Sequence, residues 1–128
     1  MIHEDQLSPL LEAVPSFLPT WQRYRAEVEP EMLAHDFCLW LAGHLAGRAA
    51  DGDFSELRWA FSALDQLYRE DDEELSTALT VGFLEDLIHI AEDKGVTLTR
   101  IESEITGSEA RRYWQAAYAY THPPSQHE

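Results

Sequence analysis

Apolar residues recur every three or four positions along most of this chain, which is the spacing of one face of an α-helix. PEMLAHDFCLWLAGHLAGRAA and the two apolar stretches that follow it show the pattern. No segment shows convincing strand-like alternation. For VTLTRI the sequence allows either a short helix or a brief strand. Because the connections DGD and REDD are short, successive helices are expected to be antiparallel. The sequence predicts an all-α fold, a compact bundle of about five to six helices arranged mostly as antiparallel hairpins.

The length of 128 residues is that of one domain with a substantial core. Residues 1 to 121 are expected to form this single α-helical domain. Residues 122 to 128, at the end of THPPSQHE, are expected to be a frayed C-terminal tail.

The middle of the chain is predicted to contain three core helices. Their apolar stripes are Leu33, Phe37, Trp40, Leu41 and Leu45 in the first, Phe54, Leu57, Phe61, Leu64 and Tyr68 in the second, and Leu75, Leu79, Phe83, Leu87 and Ile90 in the third. The third helix has a second stripe, Val81, Leu84 and Ile88, so it is expected to pack on two sides. Gly82 costs this helix about 1 kcal/mol of propensity, which predicts the close approach of a neighbouring helix, with one of the large aromatic side chains as a candidate for the contact.

Polar residues before these stripes predict how the helices are capped. Asp53, followed three residues later by Glu56, has the spacing of a capping box. Asp71 or Asp72 is expected to cap the third core helix, and Ser108 is expected to cap the last helix of the chain.

The acids are concentrated in one part of the sequence. The chain has 24 Asp and Glu against 9 Lys and Arg, which gives a net charge of −15. Residues 51–93 hold thirteen of the acids and only two bases, and five acids are consecutive, Glu70 to Glu74, here called the acidic run. Such a field repels nucleic acid and anionic membranes and attracts basic surfaces. The alternative to a basic partner is that the acidity only keeps the protein soluble.

The single cysteine, Cys38, excludes a disulfide framework and a thiolate metal cluster. No stretch reaches the roughly 18 apolar residues that a membrane helix needs. The N-terminus is acidic rather than basic before its short apolar part, which is not the pattern of an export signal. A soluble, cytoplasmic protein is therefore expected.

No arrangement of side chains in the sequence predicts a catalytic site. Glu85, His89 and Asp93 recur on one helix face, but the first and last are about 12 Å apart along the axis, too far to bind one metal ion. His44, beside an apolar stripe, is expected to be a hydrogen-bonded boundary histidine. GHLAG lacks the Lys and the Ser or Thr of a phosphate loop. The chain is predicted not to be an enzyme and to bind no metal or cofactor, with a metal-dependent enzyme using Glu85 and His89 as the remaining alternative.

The stretch FSALDQLYREDDEELSTALTVGFLEDL resembles a family of small helical bacterial proteins found among the immunity proteins of polymorphic toxin systems. The resemblance is carried by the GFLE-type helix, Gly82 to Glu85, and by AVPSFLPTWQRY and SEARRYWQAA before and after it. It implies a non-enzymatic role, in which the chain binds one cognate toxin domain and blocks it.

The acids supply the expected binding surface for such a toxin. A helix cap needs one or two acids, and the surplus like charge favours a basic partner, with neither nucleic acid nor membrane as a partner. The candidate partner-binding residues are Glu70, Asp71, Asp72, Glu73, Glu74, Asp51, Asp53, Glu85 and Asp86. An acidic adaptor or oligomeric interaction domain without a toxin partner stays open as the alternative, and so does a homo-oligomer.

Overall fold

The computed structural model describes residues 1–123, and all regular secondary structure within them is helical. The α-helices are α1 Glu4–Ala13, α2 Leu18–Tyr24, α3 Leu33–Ala50, α4 Ser55–Arg69, α5 Glu73–Thr77, α6 Glu85–Asp93, α7 Leu98–Glu102 and α8 Ser108–Thr121. A π-helical segment, Ala78–Leu84, joins α5 to α6, and short 3₁₀ turns cover Pro15–Phe17, Arg25–Glu27 and Pro30–Met32. The predicted all-α fold is confirmed, and VTLTRI contributes to α7 rather than to a strand.

Part of the predicted tail, residues 124–128, lies outside the described residues. The helical domain ends at Thr121, and the next residue, His122, is packed against the domain. Its ring stacks on Tyr118 with centroids 4.4 Å apart, and its Nε2 lies 2.8 Å from a carboxylate oxygen of Glu92 on α6. None of the helices described is long and apolar enough to cross a membrane.

Helix α3 packs most extensively on α6 and on the π segment. The two helices run in the same direction, because Cys38 lies beside Gly82 and Gly43, further along α3, lies beside Ile90. A Cβ added to Gly82 would lie 3.4 Å from Cys38 Cβ, at the lower limit of ordinary van der Waals contact, so α3 does pass close to this glycine. The neighbour is the small side chain of Cys38, not the large aromatic that was predicted. Burial raises the pKa of the Cys38 thiol to about 12.

The second layer of the fold is formed by α4, which packs mainly on α1 and α8. Large aromatic side chains fill both layers. Trp21 meets Phe37 edge to face at 5.0 Å, and Phe61 meets Trp114 in the same way at 5.9 Å. All four side chains are buried.

The π segment changes which residues of the central helix face the core. Its predicted main stripe is confirmed from Leu75 to Leu87, whose apolar members are fully buried, and Ile90 is partly buried. In the second stripe Leu84 and Ile88 are buried, but the prediction for Val81 is wrong, since 54% of that residue is exposed. The i to i+5 hydrogen bonding of a π-helix widens the turn and alters the angle between positions that a 3.6-residue period would place together.

Two predicted helix caps are also wrong. Helix α4 begins at Ser55 with Phe54 as its N-cap, and Asp53 accepts hydrogen bonds from Ser55, so no capping box forms with Glu56. Helix α8 has Gly107 as its N-cap, and no side chain of its own first turn caps it. A carboxylate from α4 takes that role, as described below.

Candidate functional site

The acidic run forms the turn between α4 and α5. Glu70 is the C-cap of α4, and Asp71 follows with φ of 58°, the only positive φ among the non-glycine residues of 1–123. Asp72 is the N-cap of α5: its Oδ1 accepts from Leu75 N at 3.1 Å. Its Oδ2 accepts from Gln6 Nε2 at 3.2 Å, which ties α1 to this turn. The structure thus assigns the predicted cap to Asp72, and the other four acids of the run are exposed.

Most of the basic side chains are paired with acids outside the acidic run. The paired bases, seven of the nine Lys and Arg, are Arg25, Arg48, Arg58, Arg69, Arg100, Arg111 and Arg112. Within residues 1–123, Glu70, Asp71 and Glu73 take part in no ion pair. Glu74 lies 3.3 Å from the amino group of Met1, and both groups are well exposed, so this pair stabilises little. The turn therefore presents at least three uncompensated negative charges to solvent.

Open clefts flank the start of α5 on two sides. One, of about 580 Å³, lies between the acidic run, the π segment and α8, where Asp71, Glu73, Val81 and Tyr113 are among its lining residues. The other, of about 660 Å³, is lined by Ile2, Glu73, Glu74, Thr77 and Ala78. Glu73 lines both clefts, so an approaching side chain can reach its carboxylate from either side.

The wall of the first cleft is held in place by an aromatic stack. Tyr68 and Tyr113 lie face to face with ring centroids 3.9 Å apart, which joins α4 to α8. The Tyr68 hydroxyl lies 2.8 Å from Thr80 Oγ1, and that oxygen donates to Ser76 O. Burial raises the pKa of Tyr68.

The predicted site residues Asp51 and Asp53 are not part of the same surface as the acidic run. They lie before α4, and the run lies after it, so the 15 residues of Ser55–Arg69 separate them by about 22 Å. Asp51 is exposed at the end of α3. Asp53 is paired with Arg48, and hydrogen bonds from Ser55 lower the pKa of its carboxyl.

Glu85 and Asp86 form a third acidic position, in the first turn of α6. Both are half-buried, and desolvation raises the pKa of each carboxyl above its usual range. Nearby His89 and, for Asp86, His35 on α3 oppose that rise. Within residues 1–123 no three His, Cys, Asp or Glu side chains are grouped so that they could hold a metal ion.

A polar cluster that the sequence analysis did not assemble lies between α1, α3 and α4. Ser16 Oγ donates to Glu56, and Ser16 N donates to the other oxygen of that carboxylate at 3.0 Å. His44 Nε2 lies 2.7 Å from Ser16 Oγ and donates to it, because the hydroxyl hydrogen is used by Glu56. Burial lowers the pKa of His44. The prediction of a hydrogen-bonded boundary histidine is confirmed. The cluster does not have the order of a hydrolase triad, in which the carboxylate binds the histidine, because here the carboxylate of Glu56 binds the serine.

Two further acids are buried, and the sequence analysis missed both. Glu104 pairs with Arg58 and Arg100, and this lowers the pKa of its carboxyl. Asp65 accepts hydrogen bonds from the backbone at the start of α8. Asp65 is four residues after Phe61, at a position where the stripe of α4 calls for an apolar side chain, and this is the signal that could have identified it.

Fold and surface together define a small, acidic, all-α protein in which one helix turn carries a run of consecutive acids, of which Glu70, Asp71 and Glu73 are exposed and form no ion pair within residues 1–123. Residues 7–128 match the model of a family described as a domain of unknown function (DUF7674). Because the match covers all but the first six residues, the chain belongs to this family. No curated protein and no solved structure matches the chain.

Proposed function

We propose that this protein is an immunity protein, which binds a basic bacterial toxin domain through the acidic run and so neutralises it. The observation that carries the proposal is the charge pairing described above. Seven bases are paired elsewhere, while Glu70, Asp71 and Glu73 are exposed without a cationic partner in residues 1–123.

Neighbouring like charges raise the free energy of the folded chain, and a basic partner would remove that cost on binding. Long-range attraction would also speed association in a salt-dependent way. Toxins that act on nucleic acids need basic clefts to hold phosphate, and a row of carboxylates can occupy such a cleft in its place. The clefts beside Glu73 are depressions that side chains of the toxin can enter.

The first test is whether a gene for a toxin domain lies directly upstream of the gene for this chain. If it does, the second test is whether this chain protects cells that express that toxin domain. The test variant combines Glu70→Gln, Glu73→Gln and Glu74→Gln, which keeps side-chain size and removes three charges. The matched control combines Glu27→Gln, Glu29→Gln and Glu31→Gln, three exposed acids between α2 and α3 that form no ion pair within the described residues.

We expect the control to protect like the parent chain and the test variant to lose protection. In the purified pair, the test variant should associate more slowly and with a weaker dependence on salt. Equal protection by both variants would contradict the proposal. A pull-down that returns a protein other than a toxin would favour the acidic adaptor instead.

A further inference from the structure

The outer face of α4 carries an exposed tryptophan. All exposed residues of this helix, Ser55, Arg58, Trp59, Ser62, Gln66 and Arg69, fall within about 100° of its circumference, and Glu70 continues the face beyond the helix end. Trp59 is 65% exposed, although large aromatic side chains usually bury most of their area. Exposed Trp flanked by Arg is the composition typical of residues that dominate protein–protein binding.

Shallow recesses lie on both sides of the Trp59 side chain. The first, of about 580 Å³, follows α4 and is lined by Arg58, Trp59, Ser62, Ala63, Gln66 and Thr106. The second, of about 400 Å³, reaches toward α7 and includes Phe54, Arg100 and Glu104 in its lining. The indole therefore projects between two depressions of the same surface, one of which has small side chains at its floor.

Charge changes sign along this face. At the Trp59 end, Arg58 and Arg100 are 59% and 48% exposed, while their acidic partner Glu104 is only 7% exposed beneath them. At the other end lie Arg69, which is 60% exposed and paired with the buried Asp65, and the acidic run, whose four exposed acids outnumber this one base. Trp59 and Glu70 are eleven residues apart, which is about 16 Å along the helix.

We propose that the outer face of α4 is a two-fold interface with a second copy of this chain. In an antiparallel pair of α4 helices, Arg58 and Arg100 of each copy face the acidic run of the other, so the charges match twice. A parallel pair would place like charges together. Ser62 lies near the middle of the face, and its small side chain allows the helices to approach closely. Each Trp59 enters the first recess of the other copy, which the buried Ala63 helps to line. Closed two-fold pairing is also the commonest form of self-association.

This inference does not rest on the proposed function, but both use the acidic run. A bound basic toxin and a second copy would therefore exclude one another. The toxin is expected to convert the dimer into a complex with one copy of this chain.

The test is sedimentation equilibrium at about 0.15 M salt, where the Debye length is about 8 Å and the net charge of distant surfaces is screened. Ser62→Arg places two bulky cations at the centre of the interface, and Gln115→Arg makes the same charge change at an exposed position on α8. We expect the parent chain and Gln115→Arg to dimerise and Ser62→Arg to be monomeric. Trp59→Ala should weaken dimerisation by more than about tenfold.

A second measurement does not depend on losing an interaction. The native thiol, Cys38, is fully buried, so a cysteine introduced at Ser62 would be the only accessible one within residues 1–123. A short thiol cross-linker should join two copies of Ser62→Cys efficiently and two copies of Gln115→Cys poorly. A monomeric parent chain at all concentrations, or equal cross-linking of the two variants, would overturn the inference and leave the proposed toxin binding untouched.

Discussion

Asp65 of α4 binds the start of α8 through the backbone of Ala110. Its Oδ1 accepts from Ala110 N and from Glu109 N, each at 2.9 Å, and its Oδ2 lies 2.9 Å from Arg69 Nε. The residue is only 6% exposed, so water cannot easily replace it. A helix that has no capping side chain of its own is thus capped by a carboxylate 44 residues earlier in the chain.

Replacing Asp65 with Ala is expected to lower the free energy of unfolding by about 1 to 3 kcal/mol, because two amides at the start of α8 lose their acceptor. Asp65→Asn keeps an acceptor oxygen and should cost less. Urea denaturation of the two variants measures the difference. Equal losses would show that the hydrogen bonds to Ala110 and Glu109 do not stabilise the fold.

Gly107, the N-cap of α8, is expected to tolerate no side chain. Its φ is 99°, and a Cβ there would overlap the Asp65 carboxyl group. Gly95, with φ of 78° and no atom within 4 Å of an added Cβ, provides the control. Both Ala variants should lose about 1 to 2 kcal/mol from backbone strain, and Gly107→Ala should lose about 1 to 3 kcal/mol more through the displaced cap. Indistinguishable midpoints in urea would contradict this expectation.

Phe83 and Val81 test the orientation of the π segment. Phe83 is fully buried, so Phe83→Ala should cost about 3 to 5 kcal/mol of stability. Val81 is 54% exposed in the same segment, and Val81→Ala should change stability by no more than about 0.5 kcal/mol. If thermal or urea unfolding gave the two variants similar losses, the assignment of these faces would be wrong.

Asp86 is expected to make stability depend on pH. Desolvation raises its pKa in the folded chain above the ordinary value of 3.8. At pH values below 3.8 the Asp86 carboxyl is neutral and its burial carries no charge penalty. As pH rises through the folded pKa the carboxyl ionises, and this part of the folding stability is lost. Asp86→Asn should therefore stabilise the protein at neutral pH and have little effect near pH 3.8 or below. Asp93→Asn, at an exposed position of the same helix, is the control, and equal pH profiles for both would contradict the expectation.

The sequence predicts that purified protein holds no stoichiometric metal. Glu85, His89 and Asp93 share one helix but are spread over about 12 Å. Elemental analysis should find less than one zinc, manganese or iron per chain. One tightly held metal per chain that is lost on His89→Ala would favour the enzyme alternative.

The helices could be predicted because their apolar stripes depend on local spacing, as in Leu57 to Tyr68 of α4. The cap of α8 could not, since Asp65 acts over a long sequence distance and its role depends on tertiary packing. The prediction for α4 failed for a local reason, because Asp53 accepts from Ser55 and Phe54 is the N-cap.

The acidic run was identified from the sequence, and its cap could be narrowed to Asp71 or Asp72. Which acids lack partners depends in part on arginines that are distant in the sequence, such as Arg25 beside Glu4 and Arg58 beside Glu104, and this required the structure.

The sequence analysis did not predict the π segment, because it assigned the apolar stripes with the 3.6-residue period of an α-helix. Leu75, Leu79, Phe83 and Leu87 recur every four residues, so in an α-helix the stripe would drift by about 120° from first to last. A wider turn in the middle reduces that drift, which allows all four to be fully buried. The regular four-residue spacing was the available signal.

A helix that contains one π-helical turn can lose one residue there while the apolar side chains before and after the turn keep facing the core. If Val81 were deleted, the segment Ala78–Leu84 could close into ordinary α-helical turns, and α5 and α6 would keep their contacts with the core. A deletion within α6 would instead rotate the residues beyond it by about 100° and expose apolar side chains. Relatives that are one residue shorter in this helix are therefore expected to lack that residue between Ala78 and Leu84.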